Sequence, residues 1–360
     1  MTEKEFIPAS YTALNDEGIV AYCSPSNIAL IKYWGKRENQ IPANPSISFT
    51  LDACSTTTRV HYKKRIHKND EFSFDLFFEG EAKEEFQPKI KTFLKRIEKY
   101  MPFLKDYHFV INTSNTFPHS SGIASSASGM SALALCFMEM ERGFDKNITL
   151  EYFNQKASFL SRLGSGSACR SIQGPLVQWG ESDAVEGSSN LFGIKYPYEV
   201  HPIFNNYHDT ILLVDKGEKQ VSSTVGHDLM HGHPFASNRF KQADTNVEKL
   251  KIVFSKGNLD EFINIVESEA LTLHAMMMTS NPYFILMKPN TLSIINSIWK
   301  FREESKTHVC FTLDAGANVH VLYPENEKDI VFPFIKDKLI SFCQNGQYIC
   351  DRIGLGAKKL

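Results

Sequence analysis

Residues 118–129 read PHSSGIASSASG, a run of small side chains between a strand-like segment and a helical one. Residues 107–113 are rich in β-branched and aromatic side chains, and residues 126–142 carry apolar side chains at helical spacing. Backbone N–H groups at a helix N-terminus lack partners and carry the positive end of the helix dipole, so small side chains there let a phosphate approach closely. The stretch therefore predicts a phosphate-binding loop, in which the hydroxyls of Ser125 and Ser126 add hydrogen bonds or a Mg2+ contact.

Two better-known phosphate signatures are missing from the sequence. It contains no G-x-x-x-x-G-K-[ST] element, and residues 164–169, GSGSAC, end in cysteine and so fail the pattern G-x-G-x-x-G. No pair of H-R-D and D-F-G motifs marks a protein kinase. The alternative interpretation of residues 118–129 is a serine- and glycine-rich connection before a core helix, and other segments of the chain weigh against it.

Composition and charge narrow the class of protein. With 360 residues, 42% of them hydrophobic and 22% charged, the chain has ordinary globular composition and enough length for two packed lobes. Its net charge of −2 and its lack of long Lys/Arg runs argue against a nucleic-acid partner and favour a small ligand. Residues 1–5 lack the apolar core of a signal peptide, and no apolar run is long enough to span a bilayer, which predicts a cytoplasmic protein without a membrane partner.

The cysteines and a histidine-rich segment are candidate redox or metal groups. Seven cysteines are an odd number, scattered and without C-x-x-C spacing, which favours reduced thiols over a disulfide or zinc framework. His227, His231 and His233 have a spacing that could gather a metal, but the segment lacks helical periodicity and an evident fourth ligand. A histidine-rich polar loop is therefore the favoured interpretation.

Periodicity and turn residues divide the chain into two halves. In the first half, a second helix is predicted at 152–163, a glycine-serine turn at 164–171 and a strand at 175–179. The polar region 180–208 predicts the boundary between the lobes. In the second half we expect a strand at 210–215, helices at 238–254, 259–277 and 291–301, and strands at 308–313 and 318–323.

Two clusters of charged residues are candidates for binding an anionic ligand. Residues 26–37 read SNIALIKYWGKR and set two lysines and an arginine beside aromatic side chains, which suits a polyanion. The alternative is the edge of an amphipathic strand, with lysines that extend along apolar surface to reach water. Arg170 follows a glycine-serine turn that could aim its planar guanidinium at a carboxylate, which it can hold in bidentate fashion.

Asp314 is the candidate acid or base. It ends the apolar stretch VCFTL, residues 309–313, and precedes the turn sequence AGAN, so we expect it at the end of a strand beside a tight turn. A carboxylate there, with a lysine nearby that stabilises its charged form, could accept a hydroxyl proton. The alternative is a turn aspartate that caps its own backbone.

Taken together, four segments resemble the diphosphomevalonate decarboxylase family, a branch of the GHMP superfamily of small-molecule kinases that also holds the galactose, homoserine and mevalonate kinases. Residues 118–127 meet the superfamily loop P-x-x-x-G-L-x-S-S-A with Ile123 in place of leucine. Residues 27–37, 164–171 and 314–318 are more specific to the decarboxylase branch. Four motifs in the family's order are hard to obtain by chance.

The resemblance implies a fold and an activity. The fold is an α+β, two-lobed GHMP-kinase-like fold with the active site in the cleft between the lobes: residues 1–205 form an N-terminal ATP-binding lobe, and residues 206–360 form a C-terminal lobe that carries the catalytic aspartate. The activity is the ATP-dependent decarboxylation of mevalonate 5-diphosphate to isopentenyl diphosphate, with release of ADP, phosphate and CO2. The implied cofactor is Mg2+. A homodimer is implied as well.

The resemblance also implies roles for individual residues. Asp314 orients or deprotonates the substrate's 3-hydroxyl, Lys32 interacts with that aspartate, and Arg170 holds the substrate carboxylate. The groups implied to hold the diphosphate end or the carboxylate are Tyr33, Lys36, Ser165 and Ser167.

For ATP, the implied contacts lie mainly in the phosphate loop. Its members are Ser120, Ser121, Gly122, Ala124, Ser125 and Ser126. Ser126 is also the implied ligand of Mg2+, in a site where catalysis is mostly positioning and charge stabilisation. Lys219 and Ser223 fall where the family places further groups that contact ATP.

The sequence departs from the family pattern at three places. Residues 119–121, HSS, replace the usual Thr-Ala-Ala, Pro45 replaces the first serine of an Asn-Ser-Ser motif, and Ala317 replaces a proline. None of these changes removes a group with an assigned role in proton transfer or carboxylate binding.

Two alternative functions stay open at this point. A related small-molecule kinase or a monophosphate decarboxylase could act on a mevalonate derivative, although Lys32, Arg170 and Asp314 together favour decarboxylation, and Tyr33 and Lys36 favour the diphosphate. A non-catalytic nucleotide-binding module is the alternative from another class, and the intact ionisable positions argue against it.

Overall fold

The computed structural model describes residues 1–11, 14–67, 70–118, 123–216 and 223–360, and for residues 223 and 224 only the backbone. The strands, in chain order, are β1 Glu17–Ile31, β2 Ser46–Lys64, β3 Ser73–Phe78, β4 Glu81–Ala82, β5 Tyr107–Asn115, β6 Leu176–Trp179, β7 Ile194–Lys195, β8 His208–Leu212, β9 Cys310–Thr312, β10 Val319–Tyr323, β11 Tyr348–Arg352 and β12 Lys358–Lys359. The α-helices are α1 Gln87–Ile97, α2 Ser125–Phe144, α3 Leu150–Gly164, α4 Ser223–Asp228, α5 Ala236–Lys256, α6 Leu259–Met278, α7 Pro289–Ser305 and α8 Lys328–Phe334.

The first sheet has the strand order β12-β1-β2-β5-β3-β4, and β6 and β7 extend it from the inner end of β2. Its pairs are antiparallel except for β3 with β5. Helices α2 and α3 cover the sheet, because their apolar side chains join those of β2 and β5 in one core; aromatic rings such as Phe109, Phe137 and Phe159 are fully buried there. This layer carries the loop that precedes α2.

The second sheet has the order β11-β8-β10-β9 and packs against α6 and α7. A second apolar cluster joins the two sheets, because the inner ends of β1 and β2 contribute Ile28 and Phe49, and helices α5 and α6 contribute Phe254 and Phe262. The end of β1 is therefore held against the second half of the chain. Lys32, the residue after β1, in turn contacts side chains of helices α5 and α6.

The structure confirms the mixed α+β, two-lobed class and most of the predicted elements. The helices predicted at 126–142 and 152–163 are α2 and α3, and those predicted at 238–254, 259–277 and 291–301 are α5, α6 and α7. The strands predicted at 175–179, 308–313 and 318–323 are β6, β9 and β10, while the strand predicted at 210–215 is β8, which ends at Leu212. The long β1–β2 pair, α1 and the C-terminal strands were not predicted.

The polar region 180–208 and the C-terminus tie the two halves together. Tyr196, Phe204 and Tyr207 are buried in the cluster between the sheets, because an aromatic side chain contributes large apolar area even from an irregular segment. Strand β12 returns to the first sheet and pairs with β1. The boundary between residues 205 and 206 stays a prediction.

The cysteines and the apolar character of the helices complete the description. All seven cysteines are free in the structure, and five of them are buried. Among the residues that the structure describes, no helix has the length and apolar character that crossing a membrane requires.

The return of the C-terminal segment over β2 leads to a test of its packing. A Cβ at Gly354 would overlap the carbonyl oxygen of Leu51, whereas a Cβ at Gly129 in α2 meets no atom within 4 Å. We expect Gly354→Ala to destabilise the protein by about 1–3 kcal/mol through overpacking. Gly129→Ala, the matched control, should stabilise it by about 0.5–1 kcal/mol through helix propensity. Denaturant unfolding measures both, and equal effects would contradict the packing of this segment.

Candidate active site

The centre of the site is an ion pair between the two halves of the chain. Lys32 follows the buried end of β1, and Asp314 follows β9 by two residues. The Lys32 Nζ lies 3.0 Å from Asp314 Oδ1, and the two side chains are 2% and 29% exposed. Burial lowers the pKa of Lys32, while the negative charges of Asp314 and Glu269 act in the opposite direction. Lys32 therefore depends on these carboxylates to stay charged.

The backbone at Asp314 is held from helix α6. His274 donates its Nε2–H to the Asp314 carbonyl oxygen at 3.1 Å. Burial lowers the pKa of His274 to about 4, so the ring is neutral and serves as a fixed donor. The strand-end turn thus presents the Asp314 carboxylate toward Lys32.

Arg170 is buried in the short helical turn Gly166–Ser171 that follows α3. Its Nη1 donates to Ser46 Oγ at 2.6 Å, its Nε donates to Asn27 Oδ1 at 3.3 Å, and the guanidinium lies 5.7 Å from the centre of the Trp179 ring. Burial lowers the pKa of Arg170, and the charge of Asp314 is one of the nearby groups that oppose this shift. Among the described residues, the side chains that accept these two hydrogen bonds are neutral.

Tyr33 lies beside Arg170 in a stack of rings. Its centroid is 4.7 Å from that of Trp179 and 4.2 Å from that of His227. The Tyr33 hydroxyl is buried and has no hydrogen-bond partner within the described part of the chain. A Cβ at Gly166 would lie 2.8 Å from that hydroxyl, which explains a glycine in the turn. Ser165 and Ser167, which flank Gly166, are partly exposed beside it.

The segment from Tyr33 to Lys36 is fastened by helix α4. Gly35 donates its N–H to His227 Nδ1 at 3.0 Å, and Lys36 Nζ lies 3.5 Å from Asp228 Oδ1. Burial lowers the pKa of His227 to about 3, so the ring is neutral and its Nδ1 can accept. His227 therefore serves as a structural acceptor.

The other two histidines of this segment are placed differently. His233 donates its Nε2–H to the Met276 carbonyl oxygen at 3.1 Å and accepts the Phe235 N–H at its Nδ1, while His231 is exposed. Within the described ranges, no group of three or more His, Cys, Asp or Glu side chains could hold a metal ion. The geometry gives His227 and His233 roles in backbone hydrogen bonding.

The described part of the small-residue loop leads into α2. Ala124, the residue before the helix, has a left-handed backbone with φ of 45°, an arrangement that costs energy without glycine and is often found at functional sites. Ser125 Oγ accepts from Asn115 Nδ2 at 3.0 Å, and the exposed Ser126 accepts from Lys89 Nζ at 2.7 Å. Ser120, Ser121, Gly122 and Lys219 lie outside the described residues, as does the side chain of Ser223.

The structure thus brings Lys32, Arg170 and Asp314 together, with Tyr33 and Lys36 beside them. The loop before α2 adjoins the same region, because Ser26 on β1 donates its hydroxyl to the Ile123 carbonyl oxygen at 2.7 Å. Several contact residues were not singled out by the sequence: Asn27, Asn44, Ser46, Lys89, Arg239, Glu269 and His274. Asn27 lies within residues 26–37, and Asn44 and Ser46 lie within the motif that contains Pro45, but no role was predicted for them. Lys89, Arg239 and Glu269 lie in helices without a local motif.

The two sheets, the helix that begins at a small-residue loop, and the buried cations around one aspartate define a protein of the GHMP small-molecule kinase class. Residues 24–190 match the family described as diphosphomevalonate decarboxylase-like N-terminal domain, and residues 210–353 match the mevalonate 5-diphosphate decarboxylase C-terminal domain. The chain belongs to the diphosphomevalonate decarboxylase family, as its motifs predicted.

Individual relatives agree over nearly the whole chain. A diphosphomevalonate decarboxylase of Ganoderma lucidum is 29% identical over 333 residues, 87% of this chain and 80% of the relative. A crystal structure of a mevalonate diphosphate decarboxylase from Legionella pneumophila is 30% identical, with a TM-score of 0.76 over 92% of this chain and 100% of that chain. The protein MDDEF, solved in complex with MVAPP, AMPPCP and magnesium, is 25% identical, with a TM-score of 0.80 over 96% of this chain and 99% of that chain.

The buried histidines of the site predict how stability depends on pH. His227 is neutral in the folded protein down to a pKa of about 3, but its ordinary pKa is 6.5, so below pH 6.5 the unfolded chain binds the proton more readily. Stability should be complete above pH 6.5 and fall as the pH decreases, with His227 costing about 2 kcal/mol at pH 5 relative to pH 7. Denaturant unfolding at both pH values checks this. His227→Phe should lose less stability between pH 7 and pH 5 than the parent protein does, and an equal loss would contradict the placement of His227.

Proposed function

We propose that this chain catalyses the ATP-dependent decarboxylation of mevalonate 5-diphosphate to isopentenyl diphosphate, releasing ADP, phosphate and CO2, in the mevalonate pathway of isoprenoid biosynthesis. The observation that carries the proposal is the Lys32–Asp314 ion pair with Arg170 nearby, in a chain of the diphosphomevalonate decarboxylase family. A tertiary hydroxyl is a poor leaving group, and transfer of the ATP γ-phosphoryl group makes it a good one. Loss of CO2 then pushes electrons into the new double bond.

Asp314 acts on the substrate's 3-hydroxyl, which it orients or deprotonates as phosphoryl transfer begins. The ammonium of Lys32 at 3.0 Å stabilises the charged carboxylate, so that it is available as an acceptor. The exposed fraction of Asp314, 29%, leaves the carboxylate open to a ligand, while Lys32 is covered by protein.

Arg170 holds the substrate carboxylate. Its guanidinium is fixed by Asn27 and Ser46, both neutral, so binding a carboxylate supplies the countercharge that the buried cation lacks. An arginine offers five N–H groups in a fixed fork, and two of them donate to described residues of the protein, which leaves three for the ligand. Holding the carboxylate in place also favours its alignment with the departing phosphate.

The diphosphate end of the substrate is held by Tyr33, Lys36, Ser165 and Ser167. The buried Tyr33 hydroxyl, which has no partner among the described residues, gains one when a phosphate oxygen or the carboxylate binds. Lys36 exchanges the carboxylate of Asp228, 3.5 Å away and half exposed, for phosphate oxygens. The hydroxyls of the two serines lie on either side of Gly166.

ATP is held at the N-terminus of α2 by the loop amides, with Ser120, Ser121, Gly122, Ala124, Ser125 and Ser126, and by Lys219 and Ser223. The Ser126 hydroxyl is exposed at the first turn of the helix, where it would offer an oxygen ligand to Mg2+. The ion would supply positive charge that neutralises phosphate. Lys89, which donates to Ser126, adds a positive charge from α1.

The proposal also covers the two lobes, the compartment, the assembly state and the partners. Residues 1–205 form the ATP-binding lobe, and residues 206–360 form the lobe that carries Asp314. The protein works in the cytoplasm as a homodimer, with a small-molecule substrate and without a nucleic-acid or membrane partner. Light scattering of the purified protein gives its assembly state directly.

The product assay separates the proposed function from its alternatives. With mevalonate 5-diphosphate and ATP, we expect ADP and CO2 in equal amounts, because both phosphoryl transfer and decarboxylation take place in one site. Incubation with mevalonate and mevalonate 5-phosphate provides the matched comparison. ADP without CO2 would indicate a kinase, preferred turnover of the monophosphate would indicate a monophosphate decarboxylase, and ATP binding without turnover would indicate a non-catalytic module.

Replacement of the acceptor carboxylate gives a second test. Asp314→Asn should lower kcat by about 10²- to 10⁴-fold, because the amide cannot accept the hydroxyl proton, while ATP affinity stays close to that of the parent protein. The control is Asp75→Asn on β3, a strand that contributes no residue to the proposed site, where the aspartate pairs with His108 on the surface. Steady-state kinetics and nucleotide titration measure the two effects. An Asp314→Asn protein that keeps most of its activity would show that another group accepts the proton.

A further inference from the structure

A fully buried ion pair lies behind Lys32, on the second half of the chain. Arg239 on α5 and Glu269 on α6 are 2% and 0% exposed, and Arg239 donates to both carboxylate oxygens of Glu269, with Nη1 to Oε1 at 3.0 Å. Asn246, about two turns further along α5, donates its Nδ2–H to Glu269 Oε1 at 2.6 Å. The pair is thus oriented by a third side chain.

The same pair holds both polar groups of the Lys32 backbone. Lys32 donates its N–H to Glu269 Oε2 at 2.9 Å, and Arg239 Nη2 donates to the Lys32 carbonyl oxygen at 3.1 Å. Asn44 Nδ2 donates to that carbonyl as well, at 2.9 Å. The backbone of Lys32, the residue after β1, is therefore held by side chains from α5 and α6 in the other half of the chain. The Lys32 side chain extends from this fixed backbone to Asp314.

The charge of Glu269 also acts on the Lys32 ammonium. The groups that face Lys32 are Asp314 after β9, Arg170 in the turn after α3, Arg239 on α5, Glu269 and His274 on α6, and Asp209 on β8. Burial lowers the pKa of Lys32, and the negative charge of Glu269 raises it again. A neutral acceptor could satisfy the Lys32 N–H equally well, so a buried carboxylate at this position points to an electrostatic role.

We propose that the Arg239–Glu269 pair is a positioning pair for the reaction, which fixes the Lys32 backbone so that the ammonium reaches the Asp314 carboxylate. The pair itself touches neither substrate nor ATP and acts through Lys32. This inference rests on the proposed role of Lys32 and Asp314 in decarboxylation. It assigns a function in the reaction to two helices that carry no motif of their own.

The test is Glu269→Gln, assayed for CO2 release with mevalonate 5-diphosphate and ATP. We expect kcat to fall by up to about 100-fold. The KM values for mevalonate 5-diphosphate and for ATP should stay nearly unchanged, because Lys32, the residue that the variant displaces, acts on the reacting centre and not on ligand binding. Loss of the Glu269 charge lowers the pKa of Lys32 further, and an ammonium persists only below its pKa. The alkaline limb of the kcat profile should therefore move to lower pH.

The matched control is Glu141→Gln. Glu141 forms an equally buried pair with Lys156, with an N–O distance of 2.5 Å between α2 and α3, away from Lys32. The Glu141→Gln variant should lose stability without a change in kcat or in the alkaline limb of the kcat profile against pH. A merely structural role of Glu269 would give the same pattern as this control.

Because Glu269→Gln leaves the buried Arg239 without its countercharge, the double variant Arg239→Gln/Glu269→Gln keeps the test independent of folding. Circular dichroism and thermal unfolding identify the variant that is folded at the assay temperature. A folded Glu269→Gln protein with a reduced kcat and a shifted alkaline limb, or a folded double variant with a reduced kcat, supports the positioning role. A folded variant with the parent kcat overturns it. If the parent protein itself releases no CO2 from mevalonate 5-diphosphate, the proposed function fails, which is a different outcome from an unaffected variant.

Discussion

The ion pair between Lys32 and Asp314 is the constraint on which the site and much of the fold depend. An ammonium that is 98% covered by protein is costly to bury unless a carboxylate compensates its charge, and the carboxylate at 3.0 Å comes from the other half of the chain. The end of β1 and the end of β9 must therefore meet. The apolar cluster that joins Phe49 to Phe254 and Phe262 provides the packing that keeps them together.

The two buried arginines near this pair show how the structure distributes charge. Arg239 is neutralised by Glu269, with which it forms a closed, fully buried pair. Arg170 is buried to a similar degree, but its protein partners are the neutral side chains of Asn27 and Ser46. The first guanidinium is therefore charge-paired within the protein, whereas the described hydrogen-bond acceptors of the second are neutral. This difference supports the proposal that Arg170 holds the substrate carboxylate.

The sequence predicts those parts of the site that lie within short, continuous segments of the chain. The loop before α2, the strand end at Asp314 and the charged segment after β1 were found because periodicity and turn residues act over a few positions. The partners of Arg170 and of Lys32 could not be found in this way, since Asn27 is 143 residues from Arg170 and Glu269 is 237 residues from Lys32. Such contacts arise when the sheets and helices pack, and no short pattern records them.

The departures from the family pattern are compatible with this arrangement because the backbone makes the contacts at two of those positions. The carbonyl oxygen of Pro45 accepts from Asn44 Nδ2, and the carbonyl oxygen of Ala317 accepts from Thr291 Oγ1. A side-chain change leaves such acceptors in place, provided that the chain keeps its path. The groups whose chemistry requires a particular side chain, Lys32, Arg170 and Asp314, are all retained and lie together. At positions 45 and 317, the main chain therefore carries a contact that does not depend on the side chain.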